Sequence, residues 1–140
     1  MLSASRKVDY GIMLMASLPE MGDQDYRSLK EIADERHLSA GFLSQVMMPL
    51  KKAGLVLARE GVYGGYQLAK PSTKITLSEI YEAIEGPLAL TNCQNGANKC
   101  ACESVCSTKM VWSDLQTLMN NYLEQRTLAQ FRDRSLIPIL

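Results

Sequence analysis

Four cysteines lie within fourteen residues of this chain, and they are the only cysteines it contains: Cys93, Cys100, Cys102 and Cys106. Thiolates in such a group can bind a metal ion, hold an iron–sulfur cluster or react directly as a redox switch. Nothing upstream resembles a small secreted domain held by disulfides, so the clustering favours bound metal or reactive thiols over bridges. The function therefore depends on what these four side chains bind.

Spacing alone leaves the ligand open. Structural zinc sites favour cysteine pairs about two to four residues apart, and only the part from Cys100 to Cys106 is that compact. The single histidine, His37, lies far along the chain from the cysteines and is better explained as a turn residue or a phosphate contact. Zinc, an iron–sulfur cluster and a metal-free thiol switch all remain candidates at this point.

The composition is that of an ordinary globular protein: 140 residues, of which 46% are hydrophobic and 21% charged. This length accommodates one domain and an accessory segment. The apolar stretch Tyr10–Leu18 is preceded by Asp9, ends at Pro19 and has no cleavage site, so it is expected to be a first helix rather than a signal peptide. We expect a cytoplasmic protein with no membrane partner and no small-molecule substrate. No phosphate loop, histidine-centred site or pair of acids indicates an enzyme.

Two short helices are expected next. Ser28 and Glu31 form a capping-box pattern that begins one helix, and Ser39 can cap a second helix that reaches about Ala53. Pro49 removes a backbone hydrogen bond within the second helix and is expected to kink it or to begin a new turn. Two short helices joined by about three residues form a helix-turn-helix, whose second helix enters a major groove of DNA.

A β-hairpin follows directly. Leu55–Arg59 and Gly65–Ala69 are predicted strands, and the glycines of the turn between them permit positive φ. A second capping box, at Thr76 and Glu79, begins a helix that Gly86 ends. The predicted fold is mainly α with a small β-hairpin wing, a winged helix-turn-helix domain over residues 1–87.

The cysteines occupy an irregular segment, residues 88–108. A long helix is predicted after it, over residues 109–132, with a short tail at 133–140. Apolar residues repeat at helical spacing along this helix: Val111, Trp112, Leu115, Leu118, Met119, Tyr122 and Leu123. Packing within its own domain is one explanation of this stripe. Pairing with the same helix of a second chain is favoured, because helix-turn-helix proteins bind two half-sites as two-fold dimers.

The net charge is zero, but residues 36–70 contain five cations and one anion. A local excess of this kind suits a face that binds double-stranded DNA, although a solvated surface is the alternative. The candidates for base contacts are Ser39, Ser44 and Gln45, and those for phosphate contacts are Arg6, Lys7, Lys51 and Lys52. The wing adds Arg59, Tyr63 and Gly64.

Four segments carry a family resemblance: residues 53–56 (AGLV), 61–69 (GVYGGYQLA), 75–80 (ITLSEI) and 82–87 (EAIEGP). In this order they resemble the Rrf2 family of bacterial winged-helix regulators, many of which sense iron–sulfur clusters, nitric oxide or redox state. The resemblance covers residues 2–131. Residues 87–93 (PLALTNC) and the later Trp112 are most similar to regulators of the SUF iron–sulfur assembly system.

The resemblance implies a homodimer with crossing C-terminal helices and an iron–sulfur cluster held by three cysteines. Cys93, Cys100 and Cys106 match that trio, and Cys102 is an additional thiol. Some members use an acid of the first helix, contributed by the partner chain, as fourth ligand. Asp9 stands at the matching place, so Asp9 or Cys102 is expected to complete a two-iron or four-iron cluster.

The implied function is a repressor of iron–sulfur assembly genes that senses the cluster. The alternatives are a repressor of the same family that senses nitric oxide or thiol oxidation, and a DNA-binding regulator stabilised by zinc.

Two positions depart from the family pattern. The family commonly has Glu where this chain has Ser44, and Arg immediately before the wing glycine where this chain has Glu60. Arg59 lies one place earlier, and adjacent residues of a strand face opposite sides. Because Glu60 can repel phosphates, we expect the operator preference to differ from that of relatives.

Overall fold

In a computed structural model, residues 5–22, 24–96 and 100–133 of the protein are described. This part of the chain forms six helices and one antiparallel hairpin, in the order α1 (Arg6–Ala16), α2 (Leu29–Arg36), α3 (Ala40–Lys52), β1 (Val56–Arg59), β2 (Gly65–Leu68), α4 (Leu77–Glu85), α5 (Lys109–Gln125) and α6 (Leu128–Arg132). Short 3₁₀ turns lie at Ser72–Lys74, Asn92–Asn95 and Glu103–Val105. The predicted class, mainly α with a small hairpin, is confirmed.

Local capping interactions begin three of the helices where the sequence predicts. The backbone N–H of Glu31 donates to Ser28 Oγ at 3.2 Å, and the N–H of Ser28 donates to Glu31 Oε2 at 2.8 Å. Thr76 and Glu79 form the same reciprocal pair at the start of α4. Ser39 Oγ accepts from the N–H of Phe42 at 3.3 Å and so caps α3.

Pro49 does not interrupt α3, which runs without a break from Ala40 to Lys52. The expectation that a new turn begins at Pro49 is therefore wrong. The missing N–H of Pro49 leaves the carbonyl of Gln45 without its helical donor. Gln45 lies on the exposed side of α3, where water can satisfy that carbonyl.

The core lies where α1, α3 and α4 meet. Leu14, Leu43 and Ile80, one from each helix, have no exposed surface. At Gly11 the approach of α1 to α4 is so close that a Cβ would stand 2.3 Å from Ile84 Cδ1. Every apolar side chain removed from water here stabilises the mutual orientation of the three helices.

The hairpin is joined to the segment that precedes α2. Arg59 pairs with Gly65 at the end of the ladder next to the turn, and Val56 pairs with Leu68 at the other end. An isolated bridge connects Tyr66 to Arg27, where the two backbones exchange hydrogen bonds of 2.8 and 3.0 Å. The strands therefore form part of the domain rather than a free arm.

The single long helix predicted over 109–132 is wrong: α5 ends at Gln125 and α6 begins at Leu128. Arg126 and Thr127 are extended, and Thr127 forms a capping box with Gln130. The carbonyl of Arg126 accepts from Leu77 N at 2.9 Å, and Leu128 N donates to the carbonyl of Ile75 at 2.8 Å. These hydrogen bonds engage the Arg126 carbonyl and the Leu128 N–H, which would otherwise form hydrogen bonds within a continuous helix. Residues 134–140, most of the predicted tail, lie outside the described residues.

Within the described part of the chain, no helix combines the length and the apolar character needed to cross a bilayer.

The Glu79 carboxylate supplies a pH-dependent part of the stability. Partial burial acts to raise its pKa, but the hydrogen bonds from Lys70 and from the N–H of Thr76 outweigh this and hold the pKa below the ordinary value of 4.5. A carboxylate with a lowered folded-state pKa stabilises fully above its unfolded pKa, and the contribution disappears as the pH falls through the folded value.

We therefore expect Glu79→Gln, which keeps a capping acceptor but removes the charge, to be less stable than wild type at pH 7. The difference should shrink below pH 4.5. Urea unfolding at several pH values measures it. A difference that is the same at pH 7 and pH 3 would contradict the assignment.

Candidate functional site

Helix α3 presents a polar face to solvent and an apolar face to the core. Ser44 and Gln45 are exposed, whereas Leu43 and Val46 are fully buried. Met48 shares the outer face and is 68% exposed. Met48 was not among the residues predicted from sequence to contact bases, although it follows Ser44 by one helical turn. Such a face can offer hydrogen bonds and an apolar contact to base edges in a major groove.

The start of α3 forms a groove of about 260 Å³ with the start of α1. Arg6 and Ser39 line it, together with His37, which adopts a left-handed conformation with φ 55° at the end of α2. A helix N-terminus beside an arginine favours a phosphate. Lys7 is exposed but does not line this groove, and Lys51 and Lys52 lie exposed at the opposite end of α3.

The wing tip is a tight turn. The N–H of Gly64 donates to the carbonyl of Gly61 at 3.0 Å, and the two residues between them, Val62 and Tyr63, are 96% and 86% exposed. A Cβ at Gly64 would stand 2.2 Å from the carbonyl oxygen of Arg59, so the turn admits only glycine there. Arg59 is exposed, and its guanidinium lies over the ring of Tyr26.

Three of the four cysteines line one pocket of about 170 Å³ between the cysteine segment and the start of α5. Cys93, Cys100 and Cys106 contribute to its wall, and Cys102 does not. The remaining lining residues are Thr91, Gln94, Glu103, Thr108, Lys109, Trp112 and Ser113.

Hydrogen bonds attach the cysteine segment to α5 at both of its ends. The N–H of Leu90 donates to Gln116 Oε1 at 3.2 Å, and Lys109 Nζ donates to Glu103 Oε1 at 2.6 Å. The Lys109–Glu103 pair lines the pocket and was not foreseen from sequence, because a spacing of six residues across an irregular turn carries no periodic signal. A change in the segment can therefore act directly on α5.

Two of the pocket thiols have hydroxyl neighbours. Cys93 Sγ lies 3.1 Å from Thr91 Oγ1, and Cys106 Sγ lies 3.6 Å from Thr108 Oγ1. The hydroxyl and backbone N–H of Thr108 lower the pKa of the Cys106 thiol, and the nearby Lys109 ammonium adds to this. The Glu103 carboxylate in turn raises the pKa of Lys109, which keeps that cation charged beside the sulfur atoms.

The three sulfur atoms line one pocket, but they are not close enough together to bind one metal ion. Across residues 5–22, 24–96 and 100–133, no three His, Cys, Asp or Glu side chains stand close enough to hold a metal ion. Asp9 lines a different groove, of about 560 Å³, with residues of α2 and α6. Within one chain, therefore, neither Asp9 nor Cys102 lines the pocket of the trio.

Comparison with known proteins identifies the family. Residues 4–134 match the model of the Rrf2 family, described as an iron-dependent transcriptional regulator. This chain belongs to the Rrf2 family. It is similar to the protein rrf2 of Nitratidesulfovibrio vulgaris, with 31% identity over 92% of this chain and 87% of that protein.

Solved structures of Rrf2-type regulators share the fold. The structure of CymR, the global cysteine regulator of B. subtilis, is 30% identical with a TM-score of 0.79, and the match covers 96% of this chain and 98% of that one. IscR of T. potens is 29% identical with a TM-score of 0.71, over 96% and 89% of the two chains. The family resemblance and the winged-helix fold predicted from sequence are confirmed, and the protein is a DNA-binding transcriptional regulator rather than an enzyme.

The Thr108 hydroxyl should control the reactivity of Cys106. In metal-free protein that retains Cys106 as its only cysteine, we expect Thr108→Val to raise the pKa of this thiol, because the variant cannot stabilise the thiolate by a hydrogen bond. Thr108→Ser is the matched control and should keep the lowered value. The rate of iodoacetamide alkylation as a function of pH measures both, and equal pKa values in all three proteins would contradict the assignment.

Proposed function

We propose that this protein is a cytoplasmic, homodimeric repressor of iron–sulfur assembly genes, and that it senses an iron–sulfur cluster at Cys93, Cys100 and Cys106. The observation that carries the proposal is the pocket that these three thiols share and from which Cys102 is absent. The structural similarity to IscR of T. potens also supports the proposal.

The residues of the pocket fit such a cluster chemically. Thiolates are the preferred ligands of iron–sulfur clusters, and the lowered pKa of Cys106 favours the ligating form. A bound cluster supplies an anionic, redox-active group. Lys109 would face that negative charge, and Trp112 would cover one side of the site and limit access of water.

The attachments of the cysteine segment suggest how its state reaches DNA. The segment follows α4, which packs on α1 and α3. It is hydrogen-bonded to α5 through Leu90 and Glu103. If ligation draws the three thiols together, the segment shifts α5 relative to α4 and thus one DNA-binding domain relative to the other. Regulation then requires only that the cluster binds the two arrangements unequally.

The proposed dimer interface is one edge of α5. No residue of this helix is buried. Val111 and Leu118, two turns apart, are 63% and 66% exposed, and Tyr122, one turn after Leu118, is 42% exposed. The opposite edge carries Leu123, which packs against the core. A row of exposed apolar side chains on a regulator of two-fold operators is best explained by a second copy of the same helix.

The fourth ligand is proposed to come from outside the pocket wall of one chain. Asp9 lines the groove formed by α1, α2 and α6. We propose that this groove faces the second chain in the dimer and that Asp9 is a ligand contributed in trans.

A metal-free thiol sensor is the second candidate. The lowered pKa of Cys106 also suits direct oxidation. CymR of B. subtilis, whose structure is similar, is a global cysteine regulator. Iron and sulfide analysis of protein purified without oxygen separates the two functions: stoichiometric iron and sulfide support the cluster, and a colourless protein supports the thiol sensor.

We expect the four cysteines to differ in that analysis. Cys93→Ser, Cys100→Ser and Cys106→Ser should each lose most of the iron, sulfide and visible absorption. Cys102→Ser is the matched control and should retain the wild-type spectrum, because Cys102 does not line the pocket. A cluster lost in Cys102→Ser but kept in Cys93→Ser would overturn the assignment.

A charged residue on the exposed edge of α5 should separate the two chains. We expect Leu118→Glu to convert the dimer to a monomer, because it places a carboxylate in the proposed apolar interface. Glu124→Lys is the control and should leave the dimer intact, because Glu124 is exposed and lies about 120° around the helix from Leu118. Analytical ultracentrifugation measures both. A dimeric Leu118→Glu variant would place the interface elsewhere.

A further inference from the structure

Arg59 on the wing makes two contacts inside its own domain. Its Cζ lies 4.0 Å from the centre of the Tyr26 ring, and its Nη2 donates to the backbone carbonyl of Tyr63 at 2.7 Å. One contact lies beside the segment that precedes α2, and the other lies at the wing tip. The guanidinium therefore connects the tip of the hairpin to the body of the domain.

The backbone reinforces the same connection. Tyr66 of β2 exchanges two hydrogen bonds with Arg27. At Gly65, with φ 147°, a Cβ would stand 2.5 Å from the carbonyl carbon of Arg27, so only glycine allows this approach. Ser28, the next residue, caps α2. The wing and the helix-turn-helix thus have one shared attachment at residues 26–28.

The part of the wing that remains free is apolar. Val62 and Tyr63 are almost fully exposed at the tip, and the two charged residues that precede the turn, Arg59 and Glu60, are exposed as well. A carboxylate disfavours approach to phosphates, whereas apolar side chains suit the sugar walls and base edges of a minor groove. The Arg59 guanidinium is exposed, but the Tyr26 ring and the Tyr63 carbonyl hold it in place.

We propose that Arg59 is a positioning residue that holds the wing on Tyr26, so that Val62 and Tyr63 enter the minor groove while Arg59 neutralises no phosphate. This inference rests on the DNA binding described above and specifies how the wing takes part in it. A stacked arginine holds the hairpin at a fixed angle to α3, and loss of the stack would weaken binding by misplacing the tip. Loss of a phosphate contact would act differently, through the number of counterions released.

The test uses the full-length protein and the operator that the wild type selects from genomic DNA of its source organism. Affinity is measured at several salt concentrations for Arg59→Met, Tyr26→Leu, the double variant and the matched control Tyr26→Phe. We expect Arg59→Met and Tyr26→Leu each to weaken binding about tenfold, since each removes the same cation–π contact. The double variant should bind the operator no more weakly than the weaker-binding single variant, because the two residues act as one unit. Tyr26→Phe keeps the ring and should bind as the wild type does.

The salt dependence distinguishes positioning from phosphate contact. The slope of log affinity against log salt should keep its wild-type value in Arg59→Met and Tyr26→Leu, whereas each lost phosphate contact lowers its magnitude by about 0.9. Faster amide exchange at residues 60–65 in Tyr26→Leu, but not in Tyr26→Phe, would show directly that the wing has been released. Val62→Ser with Tyr63→Ser should weaken binding at an unchanged slope.

A slope reduced by about 0.9 in Arg59→Met, together with wild-type affinity in Tyr26→Leu, would overturn the inference and return Arg59 to the phosphate contacts. DNA binding itself would be unaffected by that result. A wild-type protein that selects no genomic fragment would overturn the proposed operator binding, and the wing assignment with it.

Discussion

The structure depends on the packing of α1 against both α3 and α4. Leu14 and Met15 of α1 are completely buried against this pair of helices, and Gly11 allows α4 to approach closely. Helix α3 carries the candidate base contacts, and helix α4 leads into the cysteine segment. The same apolar contacts that stabilise the domain therefore fix the position of the candidate DNA-binding face relative to the start of the cysteine segment.

The proposed regulation depends on a difference in packing: the cysteine segment is attached by fewer contacts than the helices of the core. Two short 3₁₀ turns and hydrogen bonds to α5 are its described attachments, and Cys93, Cys100 and Cys102 are exposed. Such a segment can rearrange without disturbing α1, α3 and α4. Its movement reaches α5 first, and α5 carries the apolar edge proposed to join two chains. A bias of about 1–3 kcal/mol between two arrangements would change operator affinity roughly 5–150-fold.

Features set by local chemistry could be predicted from the sequence. Ser28 with Glu31 and Thr76 with Glu79 identified the helix starts, because a capping box needs only residues three apart. Ser44, a candidate base contact, is exposed next to the buried Leu43, as helical periodicity allows. The separation of the trio from Cys102 came from the family resemblance, since spacing alone made no such distinction.

Features set by distant partners could not be predicted. The helix break at Arg126 and Thr127 depends on hydrogen bonds to Ile75 and Leu77, which no local pattern indicates. Thr127 and Gln130 have the spacing of a capping box and could have indicated a new helix start, but not the partners that hold the break. Arg59 lies over the Tyr26 ring, and the sequence named it only as a DNA-binding candidate of the wing, without that partner.

The most direct test of the central claim compares the operator affinity of the cluster-loaded protein with that of the same protein after anaerobic removal of iron. Because the cluster must bind two arrangements unequally, the two forms should differ about 5–150-fold in affinity. The difference should vanish in Cys106→Ser, which lacks one ligand of the trio. Equal affinities for a protein shown to hold iron and sulfide would contradict the claim that the cysteine pocket regulates DNA binding.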